Sequence, residues 1–246
     1  MTATDAQPPR DQDSWARPVE RLSTTARTAG TDTVTGKRVA GPVQGFGQMW
    51  QKTFSVRLEG IATDPETVVA HWKAAFPTFW PKGSTFYAPL AGIAPGEVAL
   101  LEVSPVPGSP VKMSTGVMVI YADRESFTFM TPEGHALSAW ITFSAFRDGD
   151  ATVAQAQALE RTSDPLIELT YMLGANRSND RFWEQTLENL ARSLGVPEPA
   201  VEARKVCVDR RRQWRYAANV RHSAAVNMAV ATFAAPARWL RRRLAG

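Results

Sequence analysis

Residues 139–160 read AWITFSAFRDGDATVAQAQALE. Ile141 and Phe143 alternate with Trp140 and Thr142, which is the period-2 pattern of a half-buried strand. Asp148-Gly149-Asp150 is a hairpin signal, and the chain from Thr152 to Glu160 returns antiparallel. Upstream, Thr131-Pro132-Glu133-Gly134 breaks a preceding strand at Ser126–Met130, and Asp123-Arg124-Glu125 turns the chain out of a longer one over 111–122. A further strand is expected over 97–103. Short strands joined by turns, with no helices between them, predict an antiparallel meander and not βαβ units.

The flanks supply the rest of the pattern. In 53–60, Phe54, Val56 and Leu58 alternate with Ser55, Arg57 and Glu59, another half-buried strand. Thr63 or Asp64 then caps a helix with Pro65 in its first turn, and its apolar positions are Val68, Val69, Trp72, Ala75 and Phe76. Pro77 and Pro81 stop it, and 79–95 reads as an aromatic, Pro- and Gly-rich loop. After the meander, Asp164 and Pro165 open a helix that Gly174 is expected to end. A second helix runs from about Asn179 to Leu194, with Phe182, Trp183, Leu187, Leu190 and Leu194 on one stripe and Gly195 and Pro197 beyond it.

This order resembles the START-like superfamily, also called SRPBCC or helix-grip proteins, over about Thr53 to Gly195. The turn Thr131-Pro132-Glu133-Gly134-His135 and the strand after it are similar to those of a bacterial branch of that superfamily. Ser138 and Ala139 replace the acidic pair expected there, so the resemblance implies a fold and a ligand class and no residue roles. The implied fold is α+β: a curved antiparallel β-sheet wrapped around a long C-terminal helix. The implied ligand is a hydrophobic small molecule, lipid- or polyketide-like, held in a cavity between sheet and helix.

Physical chemistry leads to the same layout. A sheet with one apolar face needs a cover, and a sheet curled round one helix leaves space at its far end that side chains fill poorly. The candidates to line such a cavity are Phe54, Val56, Trp72, Phe76, Ile141, Phe143, Met172, Phe182 and Trp183. The competing reading is that they simply pack against each other. His135, at a turn beside a strand, is the candidate polar group at the cavity mouth, as a ligand contact or general base, or else an ordinary turn residue. Inward carboxylates among Glu97, Glu102, Glu160 and Glu168 would also be chemically useful.

Other motifs are weak. The chain has 246 residues, three histidines and a single cysteine, Cys207. No internal disulfide, cysteine zinc cage or histidine-rich metal site is supported, and no motif calls for a cofactor. Gly45-Phe46-Gly47 starts a dinucleotide-like pattern that Trp50 spoils, and no nucleophile elbow occurs. No catalytic residue is assigned.

Charge divides the chain. From Arg204 to Gly246, eleven basic residues face one acid, Asp209, a balance of +10 within a total of +4. Three units are expected: a disordered leader over 1–45, poor in apolar residues apart from Trp15; a helix-grip domain over 46–196; and a basic amphipathic helical tail over 197–246, helical from 199 to about 235. Arg210, Arg211, Arg212, Arg215, Trp239, Arg241, Arg242 and Arg243 are its candidate contacts to anions or a membrane surface. Packing on the body or on another protein is the alternative; nucleic acid is disfavoured, because no reading motif accompanies the charge.

The polar start, Met1 to Arg10, is unlike a signal peptide. The expected location is cytoplasmic, peripheral to the inner membrane. The leading expectation is a binding protein for a hydrophobic small molecule. The alternatives are a cyclase- or hydrolase-type enzyme on the same fold and a cavity-free interaction adaptor. Converging polar side chains inside a cavity would favour the enzyme, and a wholly apolar cavity would favour the carrier.

Overall fold

The computed structural model describes residues 39–103, 113–223 and 226. Eight strands form one antiparallel sheet: β1 (Met49–Leu58), β2 (Thr85–Tyr87), β3 (Val98–Val103), β4 (Met113–Ala122), β5 (Ser126–Met130), β6 (Leu137–Asp148), β7 (Ala151–Thr162) and β8 (Val201–Asp209), in the order β2-β3-β4-β5-β6-β7-β1-β8. The meander is therefore β2 to β7, and β1 closes it by pairing with β7 on one side and β8 on the other. Among the described residues the α-helices that pack with the sheet are α1 (Pro65–Ala75), α2 (Pro165–Thr170) and α3 (Asn176–Ser193). With α1 and α3 packed on one sheet face, this is the helix-grip arrangement.

Local chemistry sets the helix ends. Asp64 accepts from the Thr67 N–H at 2.9 Å to cap α1, and Pro65 fills the first position, where its missing N–H costs nothing. Asp164 does the same for α2, accepting from Leu166 N (2.8 Å) and Ile167 N (3.0 Å). Gly174 ends the first helical segment, as expected. It takes φ 121°, inside a π-turn over Tyr171–Ala175, and redirects the chain straight into α3. Gly195 ends α3, also as expected.

The core lies under α1 and the far half of α3. Phe54, Val56 and Leu58 from β1 meet Val68, Val69 and Trp72 from α1 and Leu187 and Leu190 from α3. Phe76 sits at its centre, edge-on to Phe86, Phe127, Phe129 and Phe143 at ring distances of 4.8–5.5 Å. Such pairs add about 0.5–1.5 kcal/mol each beyond area burial.

Three expectations are corrected. Residues 201–209, read from the sequence as part of a helix from 199 to about 235, are strand β8. Val201, Ala203, Lys205 and Cys207 lie opposite Val56, Phe54, Lys52 and Trp50 of β1. The edge of β1 presents unpaired backbone groups, and pairing them outweighs a weak helical stripe; the valines also suit a strand. The folded domain thus extends to at least Asp209, and 214–222 is a 3-10 helix. The leader boundary at 45 also moves: Val39 bridges Pro132, and the Ala40 N–H donates to Thr131 O at 2.7 Å. Inside the 79–95 loop, β2 carries Phe86 into the core. Residues 1–38 of the expected leader, with Trp15, lie outside the described residues, as do 111–112 of the long strand and Trp239, Arg241, Arg242 and Arg243 of the tail.

Candidate functional site

The even-numbered side chains of β1 face the helices. At one end they are Phe54, Val56 and Leu58; at the other, Lys52 stands on the same face and is almost wholly buried. Its ammonium donates to Glu160 of β7 (2.7 Å), Asp180 of α3 (2.8 Å) and Asn176 Oδ1 (2.6 Å). Asp180 in turn accepts from Lys205 of β8 at 2.6 Å. Two cations therefore balance two carboxylates, which is what makes charge at this depth tolerable. Burial alone would pull the Lys52 ammonium down, but Glu160 and Asp180 together hold it above the usual lysine value.

Beside this network lies a pocket of about 210 Å³. Its lining mixes apolar Trp50, Leu137 and Met172 with polar Glu160, Glu168, Tyr171, Asn176 and Arg212. The Gly174 kink builds this lining, because it lets Tyr171 before it and Asn176 after it both reach Lys52. The Tyr171 ring centroid lies 6.0 Å from the Lys52 nitrogen. Burial, then Glu160 and Asp180, push the Tyr171 hydroxyl well above its ordinary value, so at neutral pH it is a donor. Glu168 is buried and already engaged: it accepts from Thr162 Oγ1 at 2.8 Å and from Arg212 Nε at 2.9 Å.

A further cation, Arg161, also lines the pocket. It is buried too, and it donates to Gly47 O, to Arg211 O (2.9 Å) and to Asp209 (2.6 Å). Burial would raise the Asp209 carboxyl, but the Arg211 N–H and side chain together with Arg161 bring it down to about 2. Gly45 and Gly47 owe their place to this packing: a Cβ on Gly47 would collide with Thr162 Oγ1 and the Glu168 carboxylate. Their spacing serves close backbone approach to β7, and the dinucleotide reading has no support here.

Of the apolar cavity candidates, Phe54, Val56, Trp72, Phe76 and Phe143 are fully buried in the aromatic core. Ile141, Phe182 and Trp183 are half-buried at its edge, with Trp183 5.5 Å from Phe143 and Phe182 4.9 Å from Trp183. Met172 is the one member of that set in the described pocket. His135 is not brought into it. Its Nδ1 lies 3.0 Å from both the N and the O of Leu137, closing the turn, and burial lowers its pKa to about 4 against the pull of that backbone bond. Burial pushes the Cys207 thiol up, away from nucleophilic chemistry. Arg211 and Arg212 are tied to Asp209 and Glu168, and Arg210 and Arg215 are exposed.

Sequence reasoning raised Glu160 and Glu168 without being able to orient them, and it missed Lys52, Tyr171, Asn176 and Asp180. Lys52 carried a signal, since it continues the inward alternation of Phe54, Val56 and Leu58. Among the described residues no group of histidine, cysteine or acidic side chains is arranged to hold a metal ion, and no helix is long and apolar enough to cross a membrane.

One antiparallel sheet in this strand order, with α1 and α3 packed on one of its faces, is the helix-grip fold. No family model and no curated protein matches the sequence. Solved structures similar to this chain include the KanY protein, 13% identical, with a TM-score of 0.46 over 61% of this chain and 99% of that one. A START superfamily protein from Mycobacterium smegmatis is 20% identical, with a TM-score of 0.41 over 60% and 99%. The di-domain ARO/CYC StfQ from the steffimycin biosynthetic pathway is 10% identical, with a TM-score of 0.44 over 60% and 50%. These likenesses carry no residue, ligand or activity across.

Proposed function

We propose that the chain binds an amphipathic small molecule in the pocket between β1, β6, β7 and the α2–α3 kink. The observation that carries this reading is the mixed lining: apolar Trp50, Leu137 and Met172 together with Tyr171 and Asn176. Asn176 spends its Oδ1 on Lys52, which leaves its NH₂ group, like the tyrosine hydroxyl, to donate to an oxygen of the ligand. At about 210 Å³ the pocket is smaller than the roughly 300–1,000 Å³ of a drug-sized site. It suits one ring or a short chain bearing a carbonyl or hydroxyl, or the end of a longer lipid- or polyketide-like molecule. The basic segment around Arg210, Arg211 and Arg215 would hold the protein at an anionic membrane surface.

The polar lining favours a second reading, an enzyme of cyclase or hydrolase type. Tyr171 would donate a proton to a ligand carbonyl, and Glu160, whose Oε1 receives Lys52, would act as the carboxylate partner.

Mass spectrometry of organic extracts from the purified full chain tests the binding reading. A stoichiometric compound retained by the native chain and lost in both Leu137→Trp, which fills the pocket, and Trp50→Ala, which strips its wall, is the expected result. Equal retention by both folded variants would refute this pocket as the site. Turnover of the retained compound, lost in Tyr171→Phe while binding persists, would establish the enzyme.

A further inference from the structure

Helix α2 has its polarity reversed. Its inward face carries Ile167 and the buried Glu168, while Leu166, Leu169 and Leu173, at helical spacing, point out of the fold. Leu169 is 47% exposed, Met172 62% and Leu173 79%. A short helix over solvent ordinarily shows the opposite pattern. The ridge continues sideways: α2 packs against 214–222, where Trp214 rests edge-on to Phe46 yet stays 72% exposed.

The rim of this ridge is cationic. Arg212 Nη2 lies 3.7 Å from Met172 Sδ, and Arg210, Arg211, Arg215 and Arg221 are exposed along the adjoining segment. The neighbouring acids are already spent, Glu168 on Arg212 and Asp209 on Arg161 and Arg211. Leucines and a tryptophan framed by arginines match an anionic bilayer: the apolar groups enter the acyl boundary while the guanidinium groups meet phosphates.

We propose that the α2 ridge, Leu166–Leu169–Leu173 with Met172 and Trp214, is the face by which this protein docks on an anionic lipid bilayer. Met172 belongs to both ridge and pocket, so docking turns the pocket mouth toward the lipid. This deepens the membrane part of the proposed function: contact is made by the folded body at α2, and the arginines steer it there.

The test is co-sedimentation of the full chain with phosphatidylglycerol–phosphatidylcholine vesicles and with pure phosphatidylcholine vesicles. The expected result is binding to the anionic vesicles. Leu169→Asp/Leu173→Asp should weaken it about tenfold or more, and Arg210→Glu/Arg211→Glu should weaken it most at low salt. Leu173→Trp, at a position exposed enough to spare folding, should tighten binding and give a blue-shifted emission on vesicles. Failure of the native chain to bind, or unchanged binding by the folded ridge variants, would overturn the proposal. Self-association that Leu173→Asp abolishes, without vesicle binding, would instead assign the ridge to a second copy of the chain. The ligand reading fails separately: a chain that binds vesicles through the ridge but retains nothing in extracts would lose only the pocket.

Discussion

The two ends of β1 share one face, one helix cover and one sheet, yet they are built from opposite chemistry. Phe54, Val56 and Leu58 end in a close-packed aromatic core around Trp72 and Phe76. Lys52, two residues from Phe54, ends in a charge network with Glu160 and Asp180 beside an open pocket. The apolar end is held by contacts that are individually small and collectively large. The polar end is held by groups that are stable only together, because an unpaired charge at that depth is costly. The packed end thus supplies stability, and the polar end is where a ligand finds directional partners.

The comparison can be broken most directly by removing one group from each end. Trp72→Ala should cost about 3–5 kcal/mol, and Lys52→Met, which strands Glu160 and leaves Asp180 to Lys205 alone, should cost about 3–5 kcal/mol as well. The two should differ in rescue. Adding Glu160→Gln and Asp180→Asn to Lys52→Met should recover much of the loss in urea unfolding, while no neighbouring substitution refills the tryptophan cavity as simply. A Lys52→Met protein as stable as the native chain would mean the network is not structural.

Gly47→Ala comes next, at about 1–3 kcal/mol, because the new methyl meets Thr162 and Glu168. Its melting temperature should fall, and the pocket wall should shift with it. Retained compound should therefore decrease more than in an equally destabilised core variant.

Titration sharpens the contrast, since the packed end holds no charge. The Lys52 pKa is raised on folding, so its contribution is present below its ordinary value of 10.5 and is lost as pH rises through the folded value. Lys52→Met should remove that alkaline loss. His135 titrates near 6.5 when unfolded and about 4 when folded, so stability should fall as pH drops from 6.5 toward 4. His135→Gln should flatten that limb of the urea-midpoint curve. Asp209 acts lower still: its contribution is present above 3.8 and lost as pH falls toward about 2. The smallest effect expected is at the packed end's own helix cap, where Asp64→Ala should lower the urea midpoint slightly by removing the acceptor for the Thr67 N–H.

Much of the fold was legible because it is written in local patterns. The strand pattern in 139–146, the Asp148-Gly149-Asp150 turn, the Asp64 and Asp164 caps and the Gly195 stop each involve residues close in sequence. The errors fell where distant partners decide. A stripe of Ala203, Cys207 and Trp214 looks weakly helical until the unpaired edge of β1 offers it a ladder. Thr85 to Tyr87 reads as loop until β3 offers it a partner, with Phe86 opposite Leu101.

The site was less legible than the fold, for the same reason. Composition and periodicity determined that a sheet with an apolar face would close over helices, and that the excess positive charge belongs to the C-terminal segment. They could not say that Lys52 would find Glu160 more than a hundred residues away, or which way Glu168 would turn. Burial of a charge is decided by its partners, and partners across a sheet are set by register and helix placement. Tertiary structure alone therefore decided that one end of a single strand face is filled with rings and the other is left open and polar.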